Sequence, residues 1–381
     1  MKNEFKLINA IFFCVIFMGS CQKETITTDQ PNNSDQNVAL LKKAEQAATV
    51  TLFATGLNDP RSLKFGPDGQ LYVAEAGIGG GTSSVSVCPQ LQVVFPFGPY
   101  TGRTTGGRIS KINSSGQRTT VTDNLPTSSS NPIIGDVMGV GDIAFVGNTL
   151  YALMAGAGCS HGVPTVPNGI LRINSNGTHT VVADLGTWQV NHPVATPEPG
   201  DFEPEGVWYS MVNVRDDFYA IEPNHGEMVK VSTDGSISRV VDFSAKFGHI
   251  VPTAIAYHGN FFVGNLDVFP IVDGSSSIYK VTPDGHTTEW ATGFSAILGL
   301  AFDHQARLYV LEMTFGSVSG FPEPGKSRVV RLNPNGTKQV IATGLSFATG
   351  MTMGPDGNLY VSNWGFGRAP GGGEIRKITL N

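Results

Sequence analysis

The chain has 381 residues, with 47 Gly, 23 Pro and only 15% charged side chains, a composition of many turns and short strands. Its formal net charge of −6, with no sustained basic stripe, excludes a nucleic-acid surface. The roughly 330 residues left beyond the N-terminal segment exceed the usual single-domain length, which a repeat architecture accommodates.

Lys2 and Lys6 precede an apolar run from Ile8 to Met18 that is too short to span a bilayer, the pattern of a signal peptide over residues 1–20. The run closes on Met18-Gly19-Ser20-Cys21, which resembles the bacterial lipobox with Met in place of the usual Leu. Cys21 is therefore expected to carry lipid and to hold the chain to a membrane. Gln22 follows where inner-membrane retention would favour Asp. By resemblance to bacterial sorting rules, this implies an outer-membrane lipoprotein of the cell envelope, on the periplasmic side or at the cell surface. Residues 21–49, rich in Gln, Thr, Asp, Asn and Ser, carry too few large apolar side chains for a core and read as a tether.

From residue 50 to 381 one phrase recurs six times, an apolar strand, a tight turn and an aromatic-led strand that usually ends in a polar residue. The copies run from Ser62 to Glu75, Asp142 to Met154, Gly206 to Glu222, Ala254 to Asn265, Gly299 to Glu312 and Gly350 to Asn363, with first strands such as Gly206-Val207-Trp208-Tyr209. Pro67-Asp68-Gly69 and Pro355-Asp356-Gly357 supply hairpin turns. A third strand of alternating character follows each pair, as in Ile170-Leu171-Arg172-Ile173. A fourth strand follows five of these, and the sixth copy lacks it. Leu52-Phe53-Ala54-Thr55-Gly56-Leu57 repeats Val340-Ile341-Ala342-Thr343-Gly344-Leu345, so the N-terminal strand is expected to complete the last sheet and close a ring. The fold class is all-β, a six-bladed β-propeller of four-stranded blades, with no helix expected to interrupt it.

The extra length falls in residues 76–107, 124–140, 155–168, 186–204, 266–276 and 313–327, all in loops on one face, where binding resides. The second strands place Glu75, Glu222, Asn265, Glu312 and Asn363 on that face, and the first strands add Arg61, Asp142, Glu205, Thr253 and Thr349. One reading is a polar rim that takes a hydroxyl-bearing ligand or a divalent cation such as Ca²⁺, which favours oxygen-rich rings. The other is that these residues cap strand ends and bond loop backbone. His161, His192, His225 and His249 share the face, and a base near Glu205 or Glu222 could serve lactone hydrolysis. No cofactor motif is evident, since Gly79-Gly80-Gly81 lies in an all-β loop.

Cys14 leaves with the signal and Cys21 takes the lipid, so Cys88 and Cys159 remain, in a compartment where disulfides persist. Both lie in loops after the second strands of consecutive blades, and a bond between them is expected; two unpaired thiols are the alternative.

Three stretches carry a family likeness. They are Pro60-Arg61-Ser62-Leu63-Lys64-Phe65-Gly66-Pro67-Asp68-Gly69 with Leu71 to Gly77, Val251-Pro252-Thr253 with Phe262 to Leu266 and Phe269-Pro270, and Gly372-Gly373-Glu374-Ile375. Over residues 50–381 the chain resembles the ScyD/ScyE family of exported propellers, and more distantly NHL-repeat and gluconolactonase-type propellers. It departs from that family at Glu203-Pro204-Glu205-Gly206 and at Glu222-Pro223-Asn224-His225-Gly226. The resemblance implies the propeller fold and an exported location; with the lipobox and the long-loop face, the expectation is a monomeric, lipid-anchored binding or accessory protein for a small molecule, a glycan or another protein. The alternative is a metal-assisted hydrolase of the lactonase type.

Overall fold

The computed structural model describes residues 48–85, 99–130, 136–197 and 203–380. Cys21, the signal segment, nearly all of the tether and Cys88 lie outside them. Six antiparallel sheets form the blades, and each begins with a strand whose short hydrogen-bonded hairpin leads to its neighbour. The innermost strands are Pro60–Phe65, Val140–Val146, Ser210–Val214, Pro252–His258, Ile297–Phe302 and Gly350–Met353. The second strands, Leu71–Glu75, Thr149–Met154, Asp217–Glu222, Asn260–Asn265, Leu308–Glu312 and Leu359–Asn363, return to the long-loop face.

Alternation along each strand sends apolar side chains into the space between neighbouring blades, so the core is six separate layers. Ala74, Ile109 and Leu125 of blade one meet Val140, Ile143 and Leu171 of blade two in the first of these. In the last, Ala54, Leu57, Tyr360 and Ile375 of blade six meet Leu63, Leu71 and Val73 of blade one. Strand Thr49–Leu57 pairs antiparallel with Gly373–Thr379, from Thr49 opposite Thr379 to Leu57 opposite Gly373, as the outer edge of blade six.

The short-turn face is built by side chains that imitate a turn. Asp68 Oδ1 accepts from Gln70 N at 3.1 Å, and Asn113 Oδ1 accepts from Ser115 N and Gln117 N at 3.1 and 2.9 Å. Gly69, at φ 73, supplies the left-handed residue that such a hairpin needs.

Three expectations are corrected. The inner strand of blade three is Ser210–Val214 rather than 206–209, because the turn at Arg215-Asp216, with Arg215 at φ 57, sets Ser210 opposite Ile221. Val207 and Trp208 are apolar for another reason. Trp208 is fully buried in the layer between blades two and three, and Val207 N donates to Glu222 Oε1 at 2.7 Å. Helices do occur, at Leu185–Asn191 and Ser244–Phe247, each too short to show a helical period. The first is capped by Asp184, whose Oδ1 accepts from Thr187 N at 2.8 Å. Lastly, much of 76–107 and 124–140 is strand. Blade one has a long hairpin, Thr101–Ile112 with Arg118–Ser129, and the short strands Thr82–Ser83 and Val137–Met138 join it.

Candidate functional site

Glu75, Glu222, Asn265, Glu312 and Asn363 each end a second strand, and all five are buried. Their side chains are spent on the main chain of the loop entering the same blade. Glu75 accepts from Asn58 N at 2.6 Å, Glu222 from Val207 N at 2.7 Å, Glu312 from Ser295 N at 2.7 Å and Asn363 from Ser346 N at 2.7 Å. Asn265 does the same in reverse, donating to Ile250 O at 2.8 Å. Blade two has Met154 at this position and, among the described residues, no such staple; its Asn168 instead accepts from Ala157 N at 2.7 Å, after the second strand, and donates to Gly206 O at 3.0 Å, ahead of blade three.

Basic side chains complete three of these staples. Arg108 Nε donates to Glu75 Oε1 at 2.9 Å, Arg328 pairs with Glu312, and His225 Nδ1 lies 3.0 Å from Glu222 Oε2. Burial presses the Glu222 carboxyl upward, but His225 and the amides of Val207 and His225 outweigh it and hold it below the usual carboxylate value. At Glu312 burial outweighs Arg328, and the carboxyl stands above its usual value.

Glu205 is tied down as well, accepting from Ser160 N and Ser160 Oγ, both at 2.9 Å. Asp142 accepts from Met211 N at 2.7 Å and Thr349 donates to Pro60 O at 2.6 Å, so these two join consecutive inner strands. A Ca²⁺ site needs six to eight convergent oxygens. Among the described residues no three His, Cys, Asp or Glu side chains come together as a metal set.

Arg61 stands apart. It is nearly buried at the head of the first inner strand, and its Nη2 meets Asp136 Oδ1 at 3.0 Å and also bonds Val137 O. Burial works against its charge, but Asp136, Tyr209 and Asp59 outweigh that, and its pKa lies above the ordinary arginine value. Asp59, buried and at φ 47, has its carboxyl pushed up to about 7, by burial first and by Asp136 and Glu75 after it, against the pull of Arg61.

Tyr209 reaches across the channel to donate to Thr349 O at 3.3 Å, and burial lifts its hydroxyl to about 12. Beside this group Tyr100 donates to Glu203 Oε1 at 2.6 Å. Burial, then Glu203, raises the Tyr100 hydroxyl well above its usual value. The Tyr100 ring packs on His161 at 4.5 Å between centroids, and His161 Nε2 lies 3.4 Å from Glu203 Oε1.

Blades one to three thus give the channel mouth a polar wall. The other side is apolar, with Ile271, Ala296, Leu298 and Met313 buried together and Leu266, Phe366 and Tyr209 packed on them. Below the mouth the channel narrows to a cavity of about 20 Å³ lined by Lys64, Tyr209, Leu298 and Thr349 among others, room for about one water. The channel itself therefore has no room for an organic ligand.

Of the residues singled out in the sequence, Arg61 and His161 belong to this wall. Asp59, Tyr100, Asp136, Glu203 and Tyr209 went unrecognised as site residues. Tyr100 and Asp136 lie within the two long insertions of blade one, and Glu203 opens the divergent Glu203-Pro204-Glu205-Gly206 stretch. On the same face Cys159 is disulfide-bonded, within a 3₁₀ turn that also carries Ser160 and His161.

No family model and no curated protein matches the sequence. Solved structures do match in fold. A gluconolactonase from Xanthomonas campestris is 10% identical over 90% of this chain and 93% of its own, with a TM-score of 0.52. A structural-genomics protein of unknown function from Bacteroides thetaiotaomicron is 12% identical over 88% and 76%, with a TM-score of 0.52. Virginiamycin B lyase from Staphylococcus aureus is 13% identical over 88% and 100%, with a TM-score of 0.47. At such identities the likeness is one of fold.

Proposed function

We propose that this is an exported, lipid-anchored binding propeller of the ScyD/ScyE type that holds a small hydroxyl-bearing molecule at its channel mouth. The observation that carries the reading is the Arg61–Asp136 pair, a buried guanidinium joined to a carboxylate that is 38% exposed at the opening. Buried charge is expensive unless it is paired, and a cluster of shifted groups in a cleft is where function concentrates. Arg61 commits Nη2 to Asp136 and Val137 O, so its remaining N–H donors are shared between Tyr209 and a ligand oxygen. Glu203 and Asp136 accept from ligand hydroxyls, and the Leu298 side of the mouth covers an apolar face of the molecule.

A second reading, lactone hydrolysis, has one observation in its favour. The Asp59 carboxyl, held at about 7, is suited to take a proton from attacking water and return it to the departing ring oxygen. The metal-assisted form of that reaction has no ligand set among the described residues.

Saturation-transfer NMR of the mature protein against a panel of sugars, polyols and lactones tests the main reading. Binding that is lost in Arg61→Gln is expected. The absence of any binder, or binding indifferent to Arg61→Gln, overturns it.

A further inference from the structure

The loops after the second strands of blades four and five turn apolar side chains outward. Val268, Phe269 and Val272 on the first, and Val318 and Phe321 on the second, are all exposed, Val318 completely. The two loops are clasped. Ile271 N donates to Gly320 O at 2.8 Å, Gly316 N donates to Asp273 Oδ2 at 2.8 Å, and the Phe269 and Phe321 rings stack with centroids 5.4 Å apart and planes 4° from parallel. Gly320, at φ 71, lets Pro270 approach so closely that an added Cβ would lie 2.7 Å from Pro270 Cβ. The result is a braced apolar shelf, and exposed apolar surface of this kind marks a binding surface.

Continuity with the mouth identifies the occupant. Ile271, itself part of the clasp, is buried with Leu298 and Met313 in the apolar wall, and that wall packs on Tyr209 opposite Arg61. An anionic lipid surface fits poorly, because the same loops carry Asp267, Asp273 and Glu323 against a single lysine, Lys326, whose Nζ is bonded to Gly316 O.

We infer that the ligand is an amphiphile, with a hydroxylated head at the Arg61 and Glu203 wall and an alkyl or aryl tail laid over Phe269 and Phe321. The inference rests on the channel-mouth reading and adds the tail to it.

The test is calorimetric titration of the mature chain with n-alkyl β-D-glucosides from methyl to octyl, each below its micelle concentration. Affinity is expected to rise by up to about fourfold per methylene while the tail gains cover. In the Phe269→Ser/Phe321→Ser double variant, both exposed positions, that dependence should flatten while methyl glucoside binds as before. Arg61→Gln should weaken every member by the same factor.

Methyl and octyl glucosides binding equally to the parent, or neither binding, overturns the amphiphile and leaves the mouth to be judged by its own test. Tail-dependent binding that survives Arg61→Gln unchanged contradicts the mouth reading instead. Adsorption to phosphatidylglycerol vesicles that the double serine variant abolishes would assign the shelf to a membrane and also overturn the inference.

Discussion

Arg61 and Asp136, 75 positions apart in the chain, meet with Nη2 and Oδ1 at 3.0 Å at the point where blade one passes to blade two. The contact exists only because the ring brings the head of one inner strand beside the loop that leads to the next. It divides the long-loop face into residues that hold the fold and residues that face the opening.

Asp59 is the titratable group of that opening. Its folded carboxyl keeps its proton up to about pH 7, whereas the unfolded group releases it near 3.8. The folded state therefore binds more protons within that window, and stability falls as pH rises from about 4 to about 7. Asp59→Asn, which tolerates the left-handed backbone at φ 47, removes the penalty. Its unfolding free energy should match the parent's at pH 4 and exceed it at pH 8, with a ceiling on the order of 4 kcal/mol at roughly 1.4 kcal/mol per pH unit of displacement. Equal free energies at both pH values would show that folding leaves the Asp59 carboxyl's pKa unshifted.

Cys159 is disulfide-bonded, and Cys88 is the partner expected from the sequence. Cys88→Ser and Cys159→Ser should each lower the melting temperature, and the double variant should be no worse than either. The separation of 159 − 88 = 71 residues sets a chain-entropy ceiling of about 4 kcal/mol. A Cys88→Ser protein in which Cys159 still resists alkylation without reductant would assign the bond to another cysteine.

Strand Thr49–Leu57 covers the backbone of Gly373–Thr379 and puts Ala54 and Leu57 into the layer between blades six and one. Deleting residues 49–57 should leave an open sheet edge and an uncovered core, with aggregation or a loss of several kcal/mol. Removal of residues 22–46 should leave the melting temperature within a degree or two. Equal melting of the two truncations would contradict the role given to the strand.

Membrane attachment through Cys21 is tested in the native host with Cys21→Ser. The variant should move from the membrane to the soluble fraction, and its retention on salt-washed membranes would refute lipid anchoring.

The blades were legible in the sequence because period-two alternation and turn residues such as Asp68-Gly69 are local signals. The inner strand of blade three was misplaced because Trp208 is apolar for packing between blades rather than for pairing, and composition does not separate the two. Glu75, Glu222 and Glu312 were found through their repeat position. That same regularity belongs to a structural staple, since each bonds the loop amide of its own blade. Tyr100, Asp136 and Glu203 lie in stretches without a repeat, and their convergence depends on blade order rather than on spacing.

The central claim, that Arg61 serves the opening while the strand-end acids serve the fold, is tested most directly by two variants measured together. Glu222→Gln removes a fully buried charge that is held below its usual pKa and turns an amide donor toward Val207 N or His225 N, which should cost about 2–4 kcal/mol of unfolding free energy. Its ligand affinity at a temperature where it is folded should match the parent's. Arg61→Gln should cost no more than about 1–2 kcal/mol, because its partner Asp136 is well exposed, and should weaken ligand binding at least about tenfold. An affinity loss in Glu222→Gln with none in Arg61→Gln would contradict the account.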